Sequence, residues 1–219
     1  MNELPILIVD DFYADPDSVR AEALQANYDR SVAFYPGRHA DVSGPALGMV
    51  IAHICRILNA VGDVGYSPAA FVSDFSIVTT RPSDMLAGQK HPHIDPTPIL
   101  GLIYLNPVNP VGTSFYENTA MGTRSIRTKA DAEQLSDIMA TQGKTYEPVG
   151  YDVGTSPLWQ KYHTIVGQYN RLVIYPGNFF HAIDIQAIPE KLEMADVRLT
   201  QRFICNKVEQ PPAPKESLT

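Results

Sequence analysis

The second half of the chain is cut into short pieces. From residue 71 onward, FVSDFSIVTT, ILGLIYLN, TSFYEN, NRLVIYPGNFFHAIDI and VRLTQRFICN are rich in aromatic and β-branched residues and are bounded by turn-formers. Eighteen prolines and fourteen glycines, scattered rather than clustered, put many turns between short strands and argue against an all-helical bundle. An antiparallel β core over about residues 71–206 is expected.

The front of the chain reads differently. LPILIV is a short apolar run of strand type, after which Asp15 can cap a helix with Pro16 at its first position. Val19, Ala23 and Leu24 give that helix one apolar stripe, and residues 45–61 repeat the pattern with Leu47, Val50, Ile51, Ile54, Ile57 and Leu58. Residues 128–146, TKADAEQLSDIMATQGKTY, have helical composition and form an excursion from the sheet. The fold class expected is α+β with a mainly β core, the helices packed on one side of a sandwich or barrel, for which a jelly roll is one solution. One domain over residues 1–208 and a disordered, proline-rich tail at 209–219 complete the reading.

Composition narrows the partners. A chain of 219 residues with 44% hydrophobic and 19% charged residues is an ordinary globular protein with one sizeable core. A net charge of −7 argues against a nucleic-acid surface, because neutralising phosphates needs clustered Lys and Arg. No apolar run reaches membrane-spanning length, and Cys55 and Cys205 lie far apart, so a cytoplasmic protein with free thiols and no membrane partner is expected.

The stretch HPHIDP at residues 91–96 holds the densest chemistry. In an extended segment His91, His93 and Asp95 project to one side, and two of them can grip one ion. Two histidines and one carboxylate form the facial triad that leaves positions open on Fe(II), so a second histidine must come from elsewhere. The best donor is His181. Pro176 and Gly177 match the central positions of a type II turn, which makes residues 171–175 and 179–185 a hairpin, with Phe179, His181 and Ile183 on its inner face. The competing reading is a buried histidine bonded only to a backbone carbonyl. His39, His53 and His163 read as structural or surface residues, and Trp159, the sole tryptophan, as packing more than as substrate contact.

The last strand offers an anion site. In VRLTQRFICN, Arg198, Thr200 and Arg202 share one face, and an arginine turned into a core requires a carboxylate or phosphate partner. That partner is either a ligand, with Thr200 and the Tyr104 hydroxyl as further donors, or an internal carboxylate such as Asp184 or Glu193.

Taken together, HID, IYLN, GTSFY, NRLVIYPGNFFHAI and RLTQRF resemble the Fe(II)- and 2-oxoglutarate-dependent dioxygenases, most of all the prolyl-4-hydroxylase-like branch and a bacterial group of uncharacterised domains near it. The resemblance covers roughly residues 71–206. It implies a double-stranded β-helix, a distorted jelly roll buttressed by the N-terminal helices. It also implies Fe(II) held by His93, Asp95 and His181, and 2-oxoglutarate as cosubstrate, its distal carboxylate held by Arg198, Thr200 and Tyr104. The reaction implied is hydroxylation of a peptide side chain or small metabolite, with His91 near the metal but not on it. Two features depart from the family's pattern. Arg198 follows His181 by 198 − 181 = 17 residues, further than is usual, with Arg202 as competitor, and Val111-Gly112 stands where a glycine pair is common. A metal-binding jelly-roll module without catalysis, and a cupin-type metalloenzyme without the oxoacid, are the alternatives.

Overall fold

The computed structural model describes residues 5–32, 34–62, 65–108, 111–151, 153–185, 193–194 and 196–206; the tail expected at 209–219 lies outside them. In chain order the elements are β1 (Leu7–Val9), α1 (Pro16–Gln25), β2 (Gly37–Asp41), α2 (Pro45–Val61), β3 (Phe71–Val78), α3 (Ala87–Lys90), β4 (Ile99–Tyr104), β5 (Val111–Asn118), α4 (Lys129–Gln142), β6 (Trp159–Gly167), β7 (Leu172–Pro176), β8 (His181–Asp184) and β9 (Arg198–Cys205). All strand pairs are antiparallel. They form a large sheet in the order β1-β7-β4-β9-β3-β2 and a small one in the order β6-β5-β8. Among the described residues no helix is long and apolar enough to cross a membrane.

The helices start where their caps are. Asp15 accepts the Ser18 backbone N–H at 3.1 Å, and Pro16 opens α1. At α4 the Thr128 hydroxyl accepts from the Asp131 N–H while the Asp131 carboxylate accepts from the Thr128 N–H, at 3.1 and 2.9 Å.

Strand alternation sorts the side chains into three layers. Phe75, Ile77, Leu199, Phe203, Ile99 and Ile103 leave the large sheet on one face and pack against Ala23 of α1 and Ile51, Ile54 and Leu58 of α2. Its other face, with Leu100, Leu102, Tyr104, Val173 and Tyr175, meets Val111, Phe115 and Ile165 of the small sheet. The small sheet's outer face, with Tyr116, Trp159, Phe180 and Ala182, is covered by Leu135, Ile138 and Met139 of α4. So α4, unlike α1 and α2, buttresses the small sheet.

The expected hairpin at Pro176-Gly177 does not form. Both edges of β7 are taken, by β1 and β4, so the chain leaves the large sheet there and β8 pairs with β5 in the small one. The turn also sits one residue later: the Phe179 N–H bonds the Pro176 carbonyl at 3.2 Å, and neither Gly177 nor Asn178 has positive φ. Gly177 answers to space instead, since a Cβ there would lie 2.2 Å from the Thr97 carbonyl oxygen and 2.9 Å from that of Asp95.

One charged network is built into the inter-sheet face. Arg202 Nε and Nη2 grip the two oxygens of Asp74 at 2.7 and 2.6 Å, and Arg30 adds a bond at 3.0 Å. Burial alone would raise the Asp74 pKa, but the Arg202 bonds, with His39 beside them, hold it well below the usual carboxylate range. A depressed folded pKa contributes stability that is present above about pH 4 and lost as pH falls through the folded value. Asp74→Asn, which strands the buried Arg202 charge, is expected to cost about 3–5 kcal/mol at neutral pH and to flatten the acid limb of the stability curve. Urea midpoints at neutral and acidic pH measure both.

Candidate metal centre

The segment before β4 runs beside β8. His93 and His181 exchange both backbone hydrogen bonds, each at 2.9 Å, and the Asp95 N–H bonds the Gly177 carbonyl at 2.8 Å. Ile94 points the other way and packs in the layer under α4. Alternation therefore sends His93 and Asp95 inward, and the pairing sets His93 opposite His181. Their ring centroids lie 4.6 Å apart. One ligand atom from each of His93, Asp95 and His181 falls within 4.8 Å of the other two, so the three could hold a metal ion.

The donor set fits a cation. His181 Nδ1 lies 2.8 Å from the Phe179 carbonyl, which only accepts, so the neutral ring carries its proton there and turns the Nε2 lone pair inward. That atom faces Asp95 Oδ2 at 3.2 Å. A lone pair and a carboxylate oxygen so placed repel unless a proton or a metal ion lies between them. Burial works against the Asp95 anion, but with a proton on Nε2 the contact is a hydrogen bond to the carboxylate, which more than offsets burial and keeps the Asp95 pKa below the carboxylate range. His93 is exposed to solvent, yet the protein packed around it, with His181 beside it, pushes its pKa down to about 4. At neutral pH it is a neutral imidazole. A small cavity next to it is lined by Pro36, Gln89, Lys90, Gly150, Tyr151 and Ile183.

His91 does not join this group. Its ring turns under the small sheet, where Trp159 Nε1 donates to Nδ1 and Nε2 lies against the Gly143 carbonyl, both at 3.2 Å. The expectation that His91, His93 and Asp95 share a side fails because the chain is still leaving α3 at His91, its C-cap. Trp159 is fully buried against Phe180, a packing position. His39 is buried beside Asp74, His53 stacks on Phe12, and His163 lies exposed on β6.

The two arginines of β9 have different fates. Arg202 is the internally paired one. Arg198 is 4% exposed, its Nε has no partner, and no carboxylate of a described residue, Asp184 and Glu193 included, forms an ion pair with it. Tyr104 lies beneath it, with the guanidinium carbon 5.6 Å from the ring centroid, and its hydroxyl bonds Thr113 Oγ1 at 2.7 Å. Thr200 bonds Ser76 on β3 at 2.7 Å. Register relates Thr113, the Tyr104 partner, to the triad. Phe115 stands opposite His181, and Thr113 is two residues along the same strand, roughly 7 Å away. Thr113 and Ser76 escaped the sequence reading; the alternation in GTSFY and FVSDFS puts each on an inward face, but their partners are fixed only by pairing.

With the fold and this geometry in hand, comparison adds a family and a fold. Residues 1–204 match the model of DUF6445, a family of unknown function, and the chain belongs to it. No protein of curated function matches the sequence. Among solved structures, HygX from Streptomyces hygroscopicus with nickel and 2-oxoglutarate bound is 12% identical, with 90% of this chain and 81% of that one covered and a TM-score of 0.50. The non-heme alpha ketoglutarate dependent carbocyclase SnoK from nogalamycin biosynthesis is 14% identical, with coverages of 98% and 85% and a TM-score of 0.50. At such identities the likeness is one of fold: mainly antiparallel β sheets with few helices.

Gly177 ties this site to the sheet crossing. Gly177→Ala drives a methyl into the Thr97 and Asp95 carbonyls and is expected to destabilise by about 1–3 kcal/mol. Gly48→Ala, in an exposed turn of α2 with open space around it, is expected to be neutral or to stabilise by up to about 1 kcal/mol. Denaturant midpoints of the two variants give the contrast.

Proposed function

We propose that this protein is an Fe(II)- and 2-oxoglutarate-dependent oxygenase with a double-stranded β-helix core, nearest the prolyl-4-hydroxylase-like branch, folded as one domain over residues 1–208. In this reading His93, Asp95 and His181 hold the metal, and Arg198, Thr200 and Tyr104 take the cosubstrate's distal carboxylate. The observation that carries it is the pairing of two incomplete features on one interior face. Three ligand atoms converge on one site, and on the same inter-sheet face a buried arginine lacks its anion. Thr113, the Tyr104 partner, lies roughly 7 Å along β5 from the residue opposite His181, on the side towards which a short dicarboxylate would run from the metal to Arg198.

The chain's own residues then have definite tasks. The Phe179 carbonyl fixes the His181 tautomer, and the Gly177 carbonyl fixes the backbone of Asp95. Arg198 supplies a planar donor face for a carboxylate, and Tyr104, held by Thr113, supports it from below. Phe115, Tyr175 and Leu100 line the same interior and limit water around both. Bound iron and oxoacid would supply oxidation of a substrate C–H bond, coupled to decarboxylation of the oxoacid. A peptide side chain or a small molecule is the substrate class. The unpaired Arg198 weighs against a cupin-type enzyme without an oxoacid.

Purified protein is expected to bind about one Fe(II) per chain without oxygen and to turn 2-oxoglutarate slowly into succinate with it. Both should vanish in His93→Ala and in Asp95→Ala. Arg198→Ala should keep the metal and weaken 2-oxoglutarate binding about tenfold or more, the loss of a charge-assisted pair. Metal binding that persists in both ligand variants would overturn the site, and metal without oxygen consumption would leave a binding module.

A further inference from the structure

The buried contacts of His91 join the metal strand to a segment that begins and ends on it. Gly143, just past α4, presents its carbonyl to His91 Nε2, and Trp159, at the start of β6, donates its indole N–H to Nδ1. An indole nitrogen only donates and a carbonyl only accepts, so both bonds exist together in a single form of the ring, neutral with its proton on Nε2. Between these two anchors Glu147 pairs with Lys90 at 2.5 Å, while Gly150 and Tyr151 line the cavity beside His93. Residues 90 and 91 thus make three ties to the 143–159 segment, two residues before the first member of the triad.

We propose that His91 is a positioning residue: it clamps both ends of the 143–159 segment to the strand that carries His93 and Asp95, and so couples that wall of the cleft to metal binding. The inference rests on the metal triad proposed above. It has a built-in reporter, because the clamp's indole belongs to the only tryptophan in the chain. Outer partners of metal ligands tune affinity by about 10–100-fold when removed, and a clamp one residue further out is expected at the lower end of that range.

The test uses the full chain and Zn(II), which neither absorbs visible light nor quenches through unpaired electrons. In the wild type, Zn(II) titration is expected to shift the Trp159 emission with the same midpoint as a competing chromophoric chelator reports. His91→Leu fills the space but loses both bonds; its Zn(II) affinity should fall about tenfold and its emission response should disappear. His91→Gln, whose amide can both accept from Trp159 and donate to Gly143, should restore most of both, and Trp159→Phe should give an intermediate affinity. Far-UV circular dichroism checks that each variant is folded. Wild-type affinity in His91→Leu, or a Gln variant as weak as Leu, overturns the coupling and leaves the triad standing. A wild type that does not bind Zn(II) overturns the triad itself.

Discussion

The candidate site hangs on one two-hydrogen-bond bridge, between His93 and His181. Those bonds join the segment before the large sheet to the edge strand of the small one, and in doing so put two imidazoles and a carboxylate on a common inward face. The bridge stays short because His91 is still the C-cap of α3 on one side, and on the other the Asp95 N–H bonds the Gly177 carbonyl before β8 begins. A slip by one residue would turn Ile94 inward and both ligands out, and Ile94 is already committed to the layer under α4.

The two arginines of β9 show how register gives two like residues on one face different surroundings. They stand four residues apart on the same side of the strand, in the same interior, and differ only in what the neighbouring strand puts opposite them. Register sets Arg202 against Asp74 and Arg198 against Val78. The first is neutralised within the fold; the second meets an aliphatic side chain and is left with its charge.

Local signals and long-range pairing account for what the sequence does and does not reveal. The N-cap at Asp15, the span of the second helix and the inward face of His181 are local, set by spacing and capping chemistry, and they could be read directly. The choice of Arg198 over Arg202 could not, because it depends on Asp74, a partner 128 residues away. The Pro176-Gly177 hairpin failed for the same reason: the turn signal is local, but whether two strands pair across it depends on which edges other strands have already occupied. His91 is the third case. Its sequence position two before His93 suggested a shared side, and only the end of α3 and the burial of Trp159 turn it away.

Energetics give the unpaired arginine its weight. A domain of this size is held together by about 5–15 kcal/mol in all. A buried guanidinium without a counter-charge costs several kcal/mol of that, a large fraction to leave standing when a carboxylate at residue 78 in place of the valine would remove it. The Tyr104 ring beneath the guanidinium offsets part of that cost, and an anion that binds the folded chain and not the unfolded one would return more as its concentration rises. At the triad, Asp95 Oδ2 and His181 Nε2 face each other at 3.2 Å, a contact that either a proton or a metal ion between them makes favourable. The converging ligand atoms and the arginine thus face one interior, and each accepts a charge of opposite sign from outside the described residues.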